Sequence, residues 1–187
     1  MSRSRPLATL GGMHTTIHPA VRVGHVHLRV ADLDRSVAFY RDGLGLVVTV
    51  DGRPSGIDAV FLAAGDYHHH VALNTWESAG GSPPPTGHTG LHHVAFLYPD
   101  RHELARAIQR LIDHGWQIDH AADHGGSVAV YLDDPDRNGV ELSYDRPRSA
   151  WFDDAGRPVL RADEIDYRDL VSDLIPTTQE TTTCTPS

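Results

Sequence analysis

Apolar positions recur at every second residue in two short stretches of the chain, and a helical pattern follows each of them. In residues 23–30, Val26, Leu28 and Val30 alternate with His25, His27 and Arg29. That is the period of a strand with one packed face. Leu33, Val37, Phe39 and Tyr40 then form an apolar stripe over Leu33–Asp42, with Asp32 expected as N-cap and Gly43 as the stop. Three strand-like runs follow, Leu46–Val50, Ala59–Ala63 and His68–Trp76, parted by turns that carry glycine and aspartate. The same order then returns. In residues 90–98, Val94, Phe96 and Tyr98 form the packed face, and Asp100 with Glu103 resembles a capping box for a helix running to His114 and ending at Gly115. Strands are expected near Trp116–His120, Val128–Leu132 and Val140–Tyr144.

Both halves read β-α-β-β-β. The expected fold class is α+β: two βαβββ modules forming a curved mixed sheet, as half-barrels, around a shared cleft. The expected organisation is a mobile N-terminal arm over 1–20, a first module over 21–78 and a proline- and glycine-rich linker over 79–90. A second module over 91–150 and an extension over 151–175 follow, then a threonine-rich disordered tail over 176–187. Within the extension, Ile165, Leu170 and Leu174 recur at about helical spacing and predict a short helix over Asp163–Leu174. Met13 is a second candidate start, since organised sequence begins only near Val21.

Charge and composition remove several function classes. A formal net charge of −9 disfavours nucleic acid and an anionic membrane surface as partners. No apolar run approaches the roughly 20 residues that span a bilayer. The basic Met1–Arg5 segment lacks the apolar core of a secretory signal. Cys184 is the one cysteine, so a disulfide framework is excluded and a cytoplasmic setting is expected.

Fourteen histidines stand out for this length. His14, His18, His88, His102, His114 and His120 are expected as scattered surface imidazoles, whereas the clusters at 25/27, 68–70 and 92/93 lie inside strand-like runs. Alternation puts His25 and His93 on the unpacked faces of their strands. In the last strand Val140, Leu142 and Tyr144 pack, so Glu141 faces the cleft. Taken singly, a strand histidine is more often a hydrogen-bonded neighbour of the core, and a strand glutamate is usually solvated. Together, two imidazoles and one carboxylate suggest a divalent metal site with open positions. Burial of Glu141 without a partner would cost several kcal/mol, which a cation relieves.

Three stretches carry a family resemblance. They are Gly24-His25-Val26-His27-Leu28-Arg29-Val30-Ala31-Asp32-Leu33 with Phe39-Tyr40 and Gly43-Leu44-Gly45, then Leu91-His92-His93-Val94-Ala95-Phe96, then Asp134-Pro135-Asp136-Arg137-Asn138-Gly139-Val140-Glu141. The chain resembles the vicinal oxygen chelate superfamily (glyoxalase I, bleomycin-resistance proteins, extradiol dioxygenases) over about 23–151. Within it the likeness is to catechol 2,3-dioxygenase-type enzymes. That resemblance implies His25, His93 and Glu141 as ligands of Fe(II), with Mn(II) also accepted, and a catechol-type diol and O2 as substrates. It implies ring opening beside the diol to a hydroxymuconic semialdehyde-type product. It also implies His69 as acid–base group, from His69-His70-Val71-Ala72-Leu73, His124 from Asp123-His124-Gly125, and Tyr131, ten positions before Glu141.

Strict alternation through 70–75 instead turns His70 and Asn74 toward the cleft, making His70 a candidate substrate contact. A bulge in His68–His70 would reconcile the two readings. A homodimer or higher homo-oligomer is expected. Two alternatives stay open. One is a glyoxalase-I-like isomerase or epimerase, which usually has a second carboxylate on the strand His68–Trp76, where this chain has none. The other is a metal-free binding or resistance protein.

Overall fold

A computed structural model describes residues 16–172 and 174. Met13, Cys184, the tail over 176–187 and most of the N-terminal arm lie outside the described residues. The first module runs β1 (Val26–Arg29), α1 (Leu33–Ala38), β2 (Val47–Asp51), β3 (Ala59–Ala63) and β4 (Val71–Asn74). The second runs β5 (His93–Tyr98), α2 (Arg101–Asp113), β6 (His120–Asp123), β7 (Ser127–Asp133) and β8 (Gly139–Asp145), and the chain then adds β9 (Asp163–Ile165) and α3 (Tyr167–Ser172). The two sheets are ordered β1-β4-β3-β2 and β5-β8-β7-β6-β9. Each first strand pairs parallel with the last strand of its own module, and the remaining pairs are antiparallel. The expected α+β class with two βαβββ modules is therefore present.

Local chemistry accounts for the helices. Asp32 and Asp100, both extended, accept the N–H of Arg35 and Glu103 at 2.9 Å and so satisfy one orphan donor at each helix start. The first helix departs from α geometry after Ala38 and passes through a π-helical turn, Phe39–Gly43. Phe39 and Tyr40 are fully buried there, with the Phe39 ring edge-on to Trp116 at 4.9 Å. Leu28, Val37, Leu62 and Leu73 fill the space under sheet one, and Leu104, Ile108, Leu111 and Leu142 that under sheet two. Burial of each such side chain contributes roughly 1.5–3 kcal/mol.

Polar contacts tie the modules together. The Asp134 carboxylate accepts the Tyr40 hydroxyl at 3.0 Å, the backbone N–H of Asp136 and Asn138, and the Asn138 side-chain amide. Asp136 receives Arg35 and the Ser36 hydroxyl. The turn before β8 is thereby fastened to the first helix. Asp134→Ala is expected to lower stability by about 2–4 kcal/mol, because it leaves buried donors without an acceptor. A urea unfolding curve with an unchanged midpoint would contradict this.

Three expected boundaries shift. The strand expected at Trp116–His120 begins only at His120, since Trp116 and Ile118 pack on the core from a loop. The strand expected at His68–Trp76 shortens to Val71–Asn74, with His68–His70 forming a bend beside a bulge in β2 between Val48 and Val50. The helix expected over Asp163–Leu174 divides into β9 and a helix starting at Tyr167, where the Asp166 carboxylate accepts the N–H of Arg168. No helix among the described residues is long and apolar enough to cross a membrane.

Candidate metal and substrate site

Strand pairing in the second module lines up Ala95, Glu141, Tyr131 and His120 as one row across four strands. Two residues further along, Leu97, Ser143, Ala129 and Ala122 form the next row of the same face. The first row thus carries the polar Glu141, Tyr131 and His120, and the next is mostly small. Ser143, Ala129 and Ala122 keep the floor low, while Val94, Val140, Val130 and Ala121 point the other way, toward α2 and the core.

His93 Nε2 lies 2.9 Å from Glu141 Oε2, with the two side chains 33% and 14% exposed. Gly139 makes this approach possible: a Cβ there would run into the His92 carbonyl oxygen, so only glycine lets β8 start so close to β5. Tyr131 completes the group. Its ring stands 5.7 Å from that of His93 and stacks on His120 at 4.5 Å, and its hydroxyl lies 2.8 Å from His124 Nε2. Burial first, then the charge and hydrogen bond of Glu141, push the Tyr131 phenol up to about 12, so it carries its proton at neutral pH. His92, His93, His120, His124, Tyr131 and Glu164 are among the residues lining a cavity of about 460 Å³.

On the first module, His25 and His69 lie ring to ring at 4.4 Å, and His69 meets Phe61 edge-on at 5.1 Å. Phe61 pairs with Ala72, the register partner of His27, so His69 sits over the unpacked face of its sheet. His69 is held below the ordinary imidazole range by desolvation first, then by the nearby His25, His68, His27 and His70 imidazoles. His70 takes another position. Its Nδ1 accepts the Ala64 N–H at 3.2 Å and its ring packs on Tyr67 at 4.7 Å. With His25 it lines a separate cavity of about 450 Å³.

The expected residues therefore fall into two groups. His93, Glu141, Tyr131 and His124 are together on the second module, and His25 and His69 are together on the first. Among the described residues no set of three or more His, Cys, Asp or Glu side chains is close enough to hold one ion. The donors fit a divalent cation in chemistry, an imidazole nitrogen and a carboxylate oxygen converging on one point. His25, the third, is not at ligand distance from that pair.

Two contributors escaped the sequence reading. His120, expected as a surface imidazole, is exposed, and its ring also stacks on Tyr131 at an interplanar angle of 13°. Alternation back from Ala122 would have found it, had the strand been placed at His120–Asp123. The other is the segment before β9. The Asp123 carboxylate receives Arg146 at 2.5 Å, Arg161 at 2.9 Å and the Gly125 N–H at 2.7 Å. Desolvation alone would raise the Asp123 carboxyl, but these hydrogen bonds and the two guanidinium charges outweigh it and hold it low. With its folded pKa depressed, Asp123 adds stability at pH above its unfolded value of about 4, and that stability is lost as pH falls further. Asp123→Asn is expected to flatten the loss of stability below about pH 4, as followed by thermal melts. An unchanged acid limb would contradict this.

The family model described as Glyoxalase/Bleomycin resistance protein/Dioxygenase superfamily matches residues 22–142. The chain is 36% identical over 170 residues to a catechol-2,3-dioxygenase of Bacillus subtilis, covering 85% of this chain and 54% of that one. It is 34% identical over 125 residues to biphenyl-2,3-diol 1,2-dioxygenase 3 of Rhodococcus globerulus, covering 66% and 63%. The chain thus spans less than two thirds of either relative. A probable lactoylglutathione lyase of Synechocystis is 28% identical over 123 residues, covering 63% and 91%. Among solved structures, a glyoxalase/dioxygenase from Nostoc punctiforme superposes with a TM-score of 0.56 at 22% identity, covering 73% of this chain and all of that one, and shares its fold.

Proposed function

The chain belongs to the glyoxalase/bleomycin resistance protein/dioxygenase superfamily, and from that premise we propose that it is a metal-dependent extradiol dioxygenase acting on a catechol-type diol with O2. The observation that carries this reading is the convergence of His93 Nε2 and Glu141 Oε2, beside a protonated Tyr131 and a low floor of Ala122, Ala129 and Ser143. Similarity to two diol dioxygenases supports it. His93 and Glu141 would hold the cation, and His25, as third donor, would have to approach them from its place beside His69. Fe(II) is the assignment, with Mn(II) acceptable to the same donors. Such an ion, when bound, would supply a Lewis acid toward vicinal oxygens and O2.

The protein's own part is orientation and proton transfer. The flat floor suits a planar ring, and Tyr131 at its edge has a polar tip that can meet a diol oxygen, with His124 Nε2 behind that hydroxyl at 2.8 Å. A tyrosine holding its proton donates to a charged diol oxygen and favours the ionised substrate. His69 is assigned the acid–base role, taking a proton from the diol at Nε2, since its Nδ1 lies 2.8 Å from His68 Nδ1, and returning it to the product side. His70, with its Nδ1 accepting a backbone N–H, is left with a weaker claim as a substrate contact.

A glyoxalase-I-like isomerase remains the second reading, in view of the similarity to a probable lactoylglutathione lyase. It would require a further carboxylate on β4, which carries Val71, Ala72, Leu73 and Asn74. Asn74 is engaged by His27 at 2.8 Å, and Glu77 by Arg29 at 3.2 Å. The test uses protein loaded anaerobically with Fe(II), then given a panel of catechols and air. Formation of a yellow ring-opened product with one O2 consumed per diol is expected. Absence of product across the panel, with conversion of a hemithioacetal instead, would replace the dioxygenase by the isomerase.

A further inference from the structure

His124 is held from both sides of its ring, and the two contacts differ in kind. Nδ1 lies 2.8 Å from the Arg161 carbonyl oxygen, and Nε2 lies 2.8 Å from the Tyr131 hydroxyl. A carbonyl can only accept, so Nδ1 must carry the proton. In the neutral ring Nε2 is then the acceptor, and it faces the phenol. Tyr131 has one proton and two acceptors within reach, Nε2 of His124 and the Glu141 carboxylate. Were a cation to occupy Glu141, that proton would be left to His124 or, in its place, to a bound diol oxygen.

The carbonyl that sets this arrangement belongs to neither module. It sits in the segment after β8, whose next residues form β9 on the free edge of β6, pairing Asp123 with Asp163 and Ala122 with Glu164. Further contacts order the segment and hold it beside the His124 loop. Arg161 reaches back to Asp123 at 2.9 Å and to Asp163 at 3.2 Å. Val159 donates its N–H to the Trp151 carbonyl at 2.9 Å, and the Trp151 indole donates to the Arg146 carbonyl at 2.8 Å. Gly125, at φ 83°, leaves no room for a Cβ beneath Val159. Ala162 and Glu164 from the same segment line the cavity in front of His93 and Tyr131.

We propose that Val159–Ile165 is a positioning strap, which fixes His124 as its Nδ1–H tautomer through the Arg161 carbonyl and is itself latched by the Arg161–Asp123 ion pair. Arg161 and Asp123 are positioning residues. They act through His124 on Tyr131 and touch no substrate. The consequence for turnover rests on the dioxygenase reading, whereas the tautomer does not.

The experiment is nitrogen-15 NMR of the metal-free full chain labelled at histidine, with the His124 signals identified by their loss in His124→Gln. The expected spectrum shows a proton on Nδ1 and a bare Nε2. A proton on Nε2, or an averaged pair of shifts, overturns the proposal. Arg161→Ala is expected to average the two shifts and to lower kcat about tenfold with KM little changed, the scale of losing an outer-shell partner. Arg161→Lys, which keeps a cation for Asp123, is expected to recover the Nδ1–H signal. Asp123→Asn approaches the same latch from its other side and decides the matter should Arg161→Ala lose its circular-dichroism signal. Retention of the wild-type tautomer in a folded latch variant would overturn the strap. Were the intact protein inactive toward every diol, the dioxygenase reading would fall while the spectra still judged the strap.

Discussion

Glu141→Ala is expected to abolish stable divalent metal binding and diol turnover together while leaving the fold in place. The Glu141 carboxylate meets His93 at 2.9 Å. Loss of a direct anionic donor should cost more than the roughly 10–100-fold associated with loss of an outer-shell partner. The fold should survive, because His93 is a third exposed and can be solvated once its partner is gone. A change in unfolding free energy within about 1 kcal/mol is expected on that ground. Tyr131→Phe is the control. It keeps the donors and the ring stacked on His120 but removes the hydroxyl between His124 and Glu141. Metal content should stay at the wild-type level and kcat should fall by about 100-fold or more. Equal metal loss in both variants, by plasma emission analysis after gel filtration, would show that the two roles are wrongly divided.

His69→Ala is expected to lower kcat by about 10²–10⁴-fold, the range for loss of an acid–base group, and His70→Ala by far less. The geometry separates these neighbours. His69 stands ring to ring with His25 over the unpacked face. His70 is occupied by the Ala64 N–H and the Tyr67 ring. The bend at His68–His70 matters here, because a continued strand would have exchanged the two faces. Steady-state rates with one diol, at saturating metal, read the difference. A larger loss in His70→Ala would reverse the assignment.

Much of this fold is legible from period alone. Wherever one face of a strand packs, alternation identifies both faces, and so the packed Val140, Leu142 and Tyr144 set Glu141 toward the cleft. Val94, Phe96 and Tyr98 do the same for His93. The capping aspartates Asp32 and Asp100 are likewise visible, since their side chains do local work within three residues. Long-range contacts are not legible. The Asp134–Tyr40 hydrogen bond spans 94 residues and fastens the turn before β8 to a helix of the other module. β9 has only Ile165 as an apolar residue, and its pairing with β6 is carried by backbone groups that no side-chain pattern reports. Trp116 and Ile118 mimic a strand because apolar residues bury equally well from a loop. The distance between His25 and the His93–Glu141 pair was also beyond reach of the pattern. Alternation assigns a side chain to a face and says nothing of how far apart two faces lie.

The most direct test of the central claim is anaerobic Fe(II) titration by calorimetry of the wild-type chain and of His25→Ala, His93→Ala and Glu141→Ala. One tight equivalent per chain in the wild type, lost or weakened at least tenfold in all three variants, is the expected result. Wild-type affinity in His25→Ala would show that this imidazole never joins the other two donors. A wild-type chain that takes up no Fe(II) would end the reading of this cleft as a metal centre.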